Sequence, residues 1–358
     1  MSAYSLYDTW VRHLRKMLPQ ERVTRVRTLT WMVVGLFLGQ SAHLSGMAHR
    51  LPLGAKLTST TDRFRRFLNN KAFRFRDWYR PIAEELLAEA ARSGSVRLIV
   101  DGTKVGAGHQ LLMVAVAYRK RALPIAWTWV KGSRGHSTTA KQRALLRDVR
   151  ELMPDHVPVL VVGDGEFGAV NLARQLAAWG WHYVLRQKGN TPVCVSRTAL
   201  TFQCFASLVT GRNRLVWYER ARVTMKHLYC TNVVAYWAPG QKEPWLLMTN
   251  LPDARTALRA YRRRMWIEEM FGDWKGHGVD IEATRLRRIA RLSRLVFIVA
   301  LCYLWLLSRG ARAIKSGKRP LVDRADRRDL SVFRIGLYII FRWCARNQHL
   351  DIRLCPGY

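Results

Sequence analysis

The stretch RLIVDGT, residues 97–103, decides how this chain folds. It follows the small-residue break Ser93, Gly94, Ser95, and its apolar, β-branched run ending in Asp101 predicts a short buried strand. Residues 111–118 and 125–130 predict two more strands, and residues 138–153 carry helical spacing. A fourth strand, 157–162, runs into Gly163 and Asp164; a helix at 169–179 and a strand at 181–186 follow. Three strands, helix, strand, helix, strand predicts an α/β fold: a mixed sheet with flanking helices, with Asp101 and Asp164 at strand ends.

Upstream of the break, residues 4–92 repeat their apolar positions every three or four residues and predict a helical region. Residues 31–39, 41–50 and 58–68 predict three short helices. The third opens with Thr58, Ser59, Thr60 and presents Arg63, Arg65 and Arg66 as a groove-entering helix would, although an ordinary exposed helix carries the same residues. Downstream, alternating segments at 214–219, 227–236 and 245–250 predict a β-rich insertion. Helices resume near 254; residues 315–328 form a basic connector before a helix at 330–346. The expected organisation is a helical region at 1–92, a candidate for binding DNA through its third helix, an α/β core split between 93–191 and 254–310, the insertion at 192–253, and a basic helical C-terminal region at 311–358.

Sixty basic residues against 25 acidic ones, a net charge of +35 and a pI near 11.1 call for a polyanionic partner, and DNA or RNA fits best. Forty-nine per cent hydrophobic residues exclude a disordered basic tail. The six cysteines are scattered without a close pair, which indicates neither a zinc ribbon nor a disulfide framework and suits a reducing cytoplasm. No export signal opens the chain, and the longest apolar run, 295–307, is shorter than the roughly 20 residues of a membrane span. It predicts a buried helix, with no membrane partner.

Tyr261, Arg264, Glu268 and Lys275 fall within roughly a 60° arc if one helix carries them. In so basic a chain, a carboxylate among phosphate-binding groups reads as a metal ligand held against a nucleic-acid backbone; a solvated charged face is the commoner fate of such a helix. Phosphodiester chemistry needs charge stabilisation at the attacking and leaving oxygens, which two divalent ions held by carboxylates from several elements supply. Asp101 and Asp164 could supply two, though a lone strand-end aspartate is also a turn former. Glu268 could supply the third. Glu166, Glu269 and Asp273 compete, and Glu269 lies about 100° around the helix from Glu268. His136, Lys104 and Lys188 are weaker candidates for substrate contact, and His277 reads as part of a turn. No P-loop, nucleophilic serine constellation or Rossmann fingerprint is present.

The spacing of Tyr261, Arg264, Glu268 and Lys275, set in RRRMWIEEMFGDWK with LIVDGT and VVGDGEFG upstream, resembles the DDE transposases of the insertion-sequence-four type. The resemblance runs from about residue 98 to 285. It implies an RNase H-like core with Asp101, Asp164 and Glu268 as catalytic, metal-binding triad for two Mg²⁺ or Mn²⁺ ions, interrupted by a β-strand insertion. It also implies that Tyr261, Arg264 and Lys275 contact phosphates of the transposon end and that Trp245 stacks on a flipped base, core packing being the alternative for Trp245. The implied activity is cut-and-paste transposition: binding of terminal inverted repeats, strand cleavage and transfer to target DNA by a synaptic homodimer. The implied setting is the bacterial cytoplasm and nucleoid. A metal-dependent nuclease or resolvase without strand transfer, and a non-catalytic transposase-derived DNA-binding protein, are the alternatives.

Overall fold

The computed structural model describes residues 3–106, 108–131, 136–276, 278–348 and 350–357. Five helices open it: α1 (Ala3–Met17), α2 (Val23–Gly39), α3 (Leu44–His49), α4 (Leu57–Asn69) and α5 (Phe75–Ala91). α2 begins well before residue 31, because Val26, Leu29 and Thr30 are buried along with the later apolar residues. α3 is shorter than residues 41–50, and α4 lies close to the expected 58–68.

The predicted strand and helix order then appears as β1 (Val96–Val105), β2 (His109–Tyr118), β3 (Arg121–Lys131), α6 (Thr139–Arg150), β4 (Val159–Gly163), α7 (Val170–Ala178) and β5 (His182–Arg186). β6 (Pro192–Cys194), β7 (Gln203–Cys204), β8 (Arg214–Val223), β9 (Tyr229–Trp237) and β10 (Trp245–Thr249) follow. All ten strands form one sheet in the order β3-β2-β1-β4-β5-β10-β9-β8-β6-β7. β1, β4 and β5 are parallel, β2 runs antiparallel to them, and β3, antiparallel to β2, returns to their direction through a second hairpin: this half is the RNase H-like arrangement. The strand-rich segment after β5 extends this same sheet, because β10 pairs antiparallel with β5.

Local chemistry explains the pattern. β2 is buried from Leu111 to Tyr118 on both faces, so it reads as a continuous apolar run without alternation. β3 lies at the sheet edge and accommodates Pro124, which cannot donate to a ladder, at a register shift against Ala115.

α8 (Ala254–Arg262), α9 (Met265–Trp274), α10 (Ile289–Lys315) and α11 (Val332–Ala345) complete the fold. α10 is longer than its apolar centre suggested and, by length and composition, long enough to cross a membrane. It is buried instead, packing against α2, α4, α5, α11 and β3, so it ties the N-terminal helices to the sheet. Gly310 of α10 and Gly336 of α11 meet where the two backbones touch; a Cβ on either would overlap the partner helix's backbone.

Two expectations need correction. Asp101 does not end its strand: β1 continues to Val105 because its antiparallel ladder with β2 runs on to the Val105–His109 pair. The quartet does not ride one helix either. α8 ends at Arg262 and α9 begins at Met265; Arg263 and Arg264 form a tightened turn in which Arg264 N–H donates to Tyr261 O (2.9 Å) and Ile267 N–H to Arg264 O (3.2 Å). Both residues keep right-handed helical backbone angles, so neighbouring members still share a side while the axis breaks.

Candidate active site

The parallel pairing of β1 with β4 ends at Val100 and Gly163, and that of β4 with β5 ends at Gly163 and Leu185. One step further along these strands stand Asp101, Asp164 and Arg186. Neighbouring strands lie about 4.8 Å apart, so the sheet sets the three residues side by side at one rim. This is the carboxyl end of the parallel strands, where open α/β sheets place their ligands. Arg186 escaped the sequence reading, although the end of the strand beside Asp164 was the place to look.

Asp101 is buried, with Oδ1 accepting from Gly102 N–H at 2.7 Å. Asp164 turns the chain into a short 3₁₀ turn, its Oδ1 accepting from Glu166 N–H at 2.9 Å. The tightened turn between α8 and α9 brings Arg264 over this rim. Its guanidinium reaches Asp101 Oδ2 at 3.2 Å and Glu268 Oε1 at 2.6 Å, so one cation bridges two carboxylates contributed by different elements. Burial pushes the Asp101 carboxyl up to about 7; the charges of Asp164 and Glu268 add to the rise, and Arg264 and the Gly102 N–H oppose it. Burial likewise raises Asp164, against the opposing Glu166 N–H and Arg264.

The competing acids point elsewhere. Glu166 accepts from Ser137 N–H (2.6 Å), from the Ser137 hydroxyl and from Gln110 (3.3 Å), anchoring the start of α6. Glu269 and Asp273 both pair with Arg121, at 3.0 and 2.6 Å. Arg264 joins Glu268, and neither of those two acids, to Asp101.

The other candidates divide. Tyr261 is buried at the end of α8, its ring edge-on to Trp245 (5.1 Å, 71°). Its hydroxyl lies beside Arg264 without completing a hydrogen bond among the described residues. Trp245 is half-buried between Tyr261 and Tyr236, close to the rim. Lys275 caps the far end of α9 and pairs with Glu282 at 2.9 Å, so it does not join the Arg264 cluster. Lys188 is exposed and, with Arg186, lines a 520 Å³ cleft that opens against Asp164. Lys104 is exposed too, but strand alternation sends it to the face opposite Asp101. His136 is exposed and sits 3.8 Å from Glu166; His277 lies outside the described residues. On α4, Arg63 is half-buried with guanidinium nitrogens lacking a hydrogen-bond partner among the described residues, Arg65 is exposed and pairs with Asp62, and Arg66 is exposed.

Among the described residues no three His, Cys, Asp or Glu side chains already close around a metal-sized point. The donors nevertheless suit a hard divalent cation. Asp101, Asp164 and Glu268 are all oxygen donors, their charges repel, and Arg264 is the cation now set between two of them.

Residues 92–305 match the family model described as the transposase DDE domain. Among solved structures the chain is similar to a piggyBac transposase, seen by cryo-EM in a synaptic complex with hairpin DNA, at 12% identity and a TM-score of 0.46, over 98% of this chain and 80% of that one. No curated protein matches it. DDE transposases generally use divalent metal ions. The family match runs from the turn before β1 into α10 and encloses Asp101, Asp164 and Glu268, so the chain belongs to the DDE-domain transposases, enzymes that cut and join DNA.

Proposed function

We propose that this chain is a transposase of the insertion-sequence-four type, which binds the terminal inverted repeats of its element and moves it by cut-and-paste. The observation that carries the reading is the adjoining placement of Asp101 and Asp164 on parallel strands with Glu268 joined to Asp101 through Arg264. Asp101, Asp164 and Glu268 would hold two Mg²⁺ or Mn²⁺ ions. When bound, these supply charge stabilisation at the attacking and leaving oxygens of a phosphodiester.

The protein's own groups position the DNA. Arg264 holds the rim together in the free protein and turns to a phosphate when substrate arrives; Tyr261 supplies a hydroxyl with no competing partner among the described residues. Arg186 and Lys188 receive backbone in the cleft beside Asp164. Trp245 takes a displaced base on its open side, and Lys275 meets phosphate further along. The helical region 1–92, with Arg63, Arg65 and Arg66, holds the repeat. Two copies join in the synaptic complex, and the protein works on the nucleoid in the bacterial cytoplasm.

Glu268→Gln tests the assignment. Metal-dependent nicking and strand transfer should disappear while end binding in a gel shift stays within about twofold. Undiminished nicking by the variant would sink the triad. A pre-cut end with a free 3′-hydroxyl, supplied with a target plasmid, should be joined by the native protein; cleavage without joining would favour a nuclease.

A further inference from the structure

A basic groove lies away from the carboxylate rim, between α3 and α4 on one wall and the segment leading into α10 on the other. Its volume is 490 Å³, and Arg65, Arg285, Arg287, Arg288 and Arg291 line it without a carboxylate among the lining residues. The arginines are displayed by construction. Residues 284–288 are extended; Thr284 and Leu286 are buried and alternate with exposed Arg285 and Arg287. The segment is tied to the β1–β2 turn, where His109 Nε2 donates to Arg287 O at 2.9 Å and Gly106 packs on Thr284. Arg291 is steadied by Asn69 of α4, Nε to Oδ1 at 3.3 Å.

Five guanidiniums around one groove repel one another. Arg65 has Asp62 beside it on α4, whereas Arg285, Arg287 and Arg288 pair with no carboxylate among the described residues. α10 contributes the positive end of its dipole at the same place, with no acid in its first turn. Such an arrangement is relieved by a polyanion.

Its position says which one. Gly106, against which the segment packs, lies five residues beyond Asp101 on the strand and turn that carry that residue. At about 3.3 Å per residue this is about 17 Å, or roughly five base pairs of duplex. Resting on the transposase reading above, we infer that this groove seats the phosphodiester backbone of duplex DNA about half a helical turn from the phosphate held at the carboxylate rim. The contact is to backbone, so it is the same for a terminal repeat and for unrelated DNA.

The test is Arg285→Ala/Arg288→Ala in the full chain, with Arg285→Lys/Arg288→Lys as charge-retaining control. Binding to fluorescein-labelled duplexes, one bearing the terminal repeat and one of arbitrary sequence, is followed by anisotropy across a salt series. Each lost phosphate contact removes about 0.9 from the slope of log K against log salt, so the alanine variant should lose about 1.8 on both duplexes and the lysine variant should keep the native slope. An alanine variant with the native slope and an unchanged melting temperature overturns the inference, and so does a loss confined to the terminal-repeat duplex. A variant with a lowered melting temperature is replaced by Arg287→Ala, which should lose about 0.9 and is judged in the same way. If the native protein binds neither duplex, the transposase reading itself fails, whatever the variants do.

Discussion

The carboxylate rim and the arginine groove are opposite solutions to concentrated charge. At the rim, Asp101, Asp164 and Glu268 are brought together by strand register and a tightened helical turn, and Arg264 partly neutralises them from within the chain. In the groove, five arginines face one space with little internal compensation. Asp101 at the rim is buried, with Asp164 half-buried and Glu268 exposed beside it, whereas the groove is open and incomplete. Burial makes the difference necessary, because an isolated charge in the interior is far costlier than one in water.

The largest expected effect after loss of catalysis in Glu268→Gln comes from removing the rim's internal cation. Arg264→Ala leaves Asp101 buried beside Asp164 without its counter-charge, and above pH 7, where Asp101 is ionised, should cost about 3 kcal/mol of stability in metal-free buffer. Added Mg²⁺ or Mn²⁺ should restore part of the lost melting temperature. Arg288→Ala in the groove should leave the melting temperature unchanged or raise it slightly. Equal destabilisation by the two variants would erase the contrast.

A third charge cluster sharpens it. Burial raises Asp273 to about 6 despite its contact with Arg121. A carboxyl whose folded pKa lies above its unfolded value of 3.8 contributes stability that is fully present below that value and lost as pH rises through about 6. Urea midpoints of the native protein should therefore fall relative to those of Asp273→Asn between pH 4 and pH 7. A constant difference across this range would contradict the burial argument. The smallest effect belongs to Lys275→Ala. Its pair with Glu282 is partly solvated, so the variant should lose no more than about 0.5 kcal/mol in a denaturant titration, while its DNA binding weakens.

Much of the fold was legible in particular residues. The apolar strands around Asp101 and Asp164 lie near where the pattern placed them, and the alternating segments after residue 192 are strands. The choice of Glu268 over Glu269 followed from angular position alone, and the Arg121 pairings bear on the same distinction. Other features were hidden because they depend on partners distant in sequence. Asp101 looked like a strand end, since nothing in DGTK announces that β2 will go on pairing with it. The break at Arg263–Arg264 interrupts residues that all tolerate helix, so the periodic pattern shows no gap there. Arg186 joined the rim only through the pairing of β5 with β4.

The sequence by itself determined which segments become strands and helices and which residue types are available for phosphodiester chemistry. Those properties follow from local periodicity and side-chain chemistry. Tertiary structure alone decided that Asp101, Asp164 and Arg186 stand abreast, that Arg264 settles between two carboxylates, and that Arg65 faces the arginines before α10. These proximities are set by strand register and by the packing of α10 against α4, and neither is written in any one stretch of the chain.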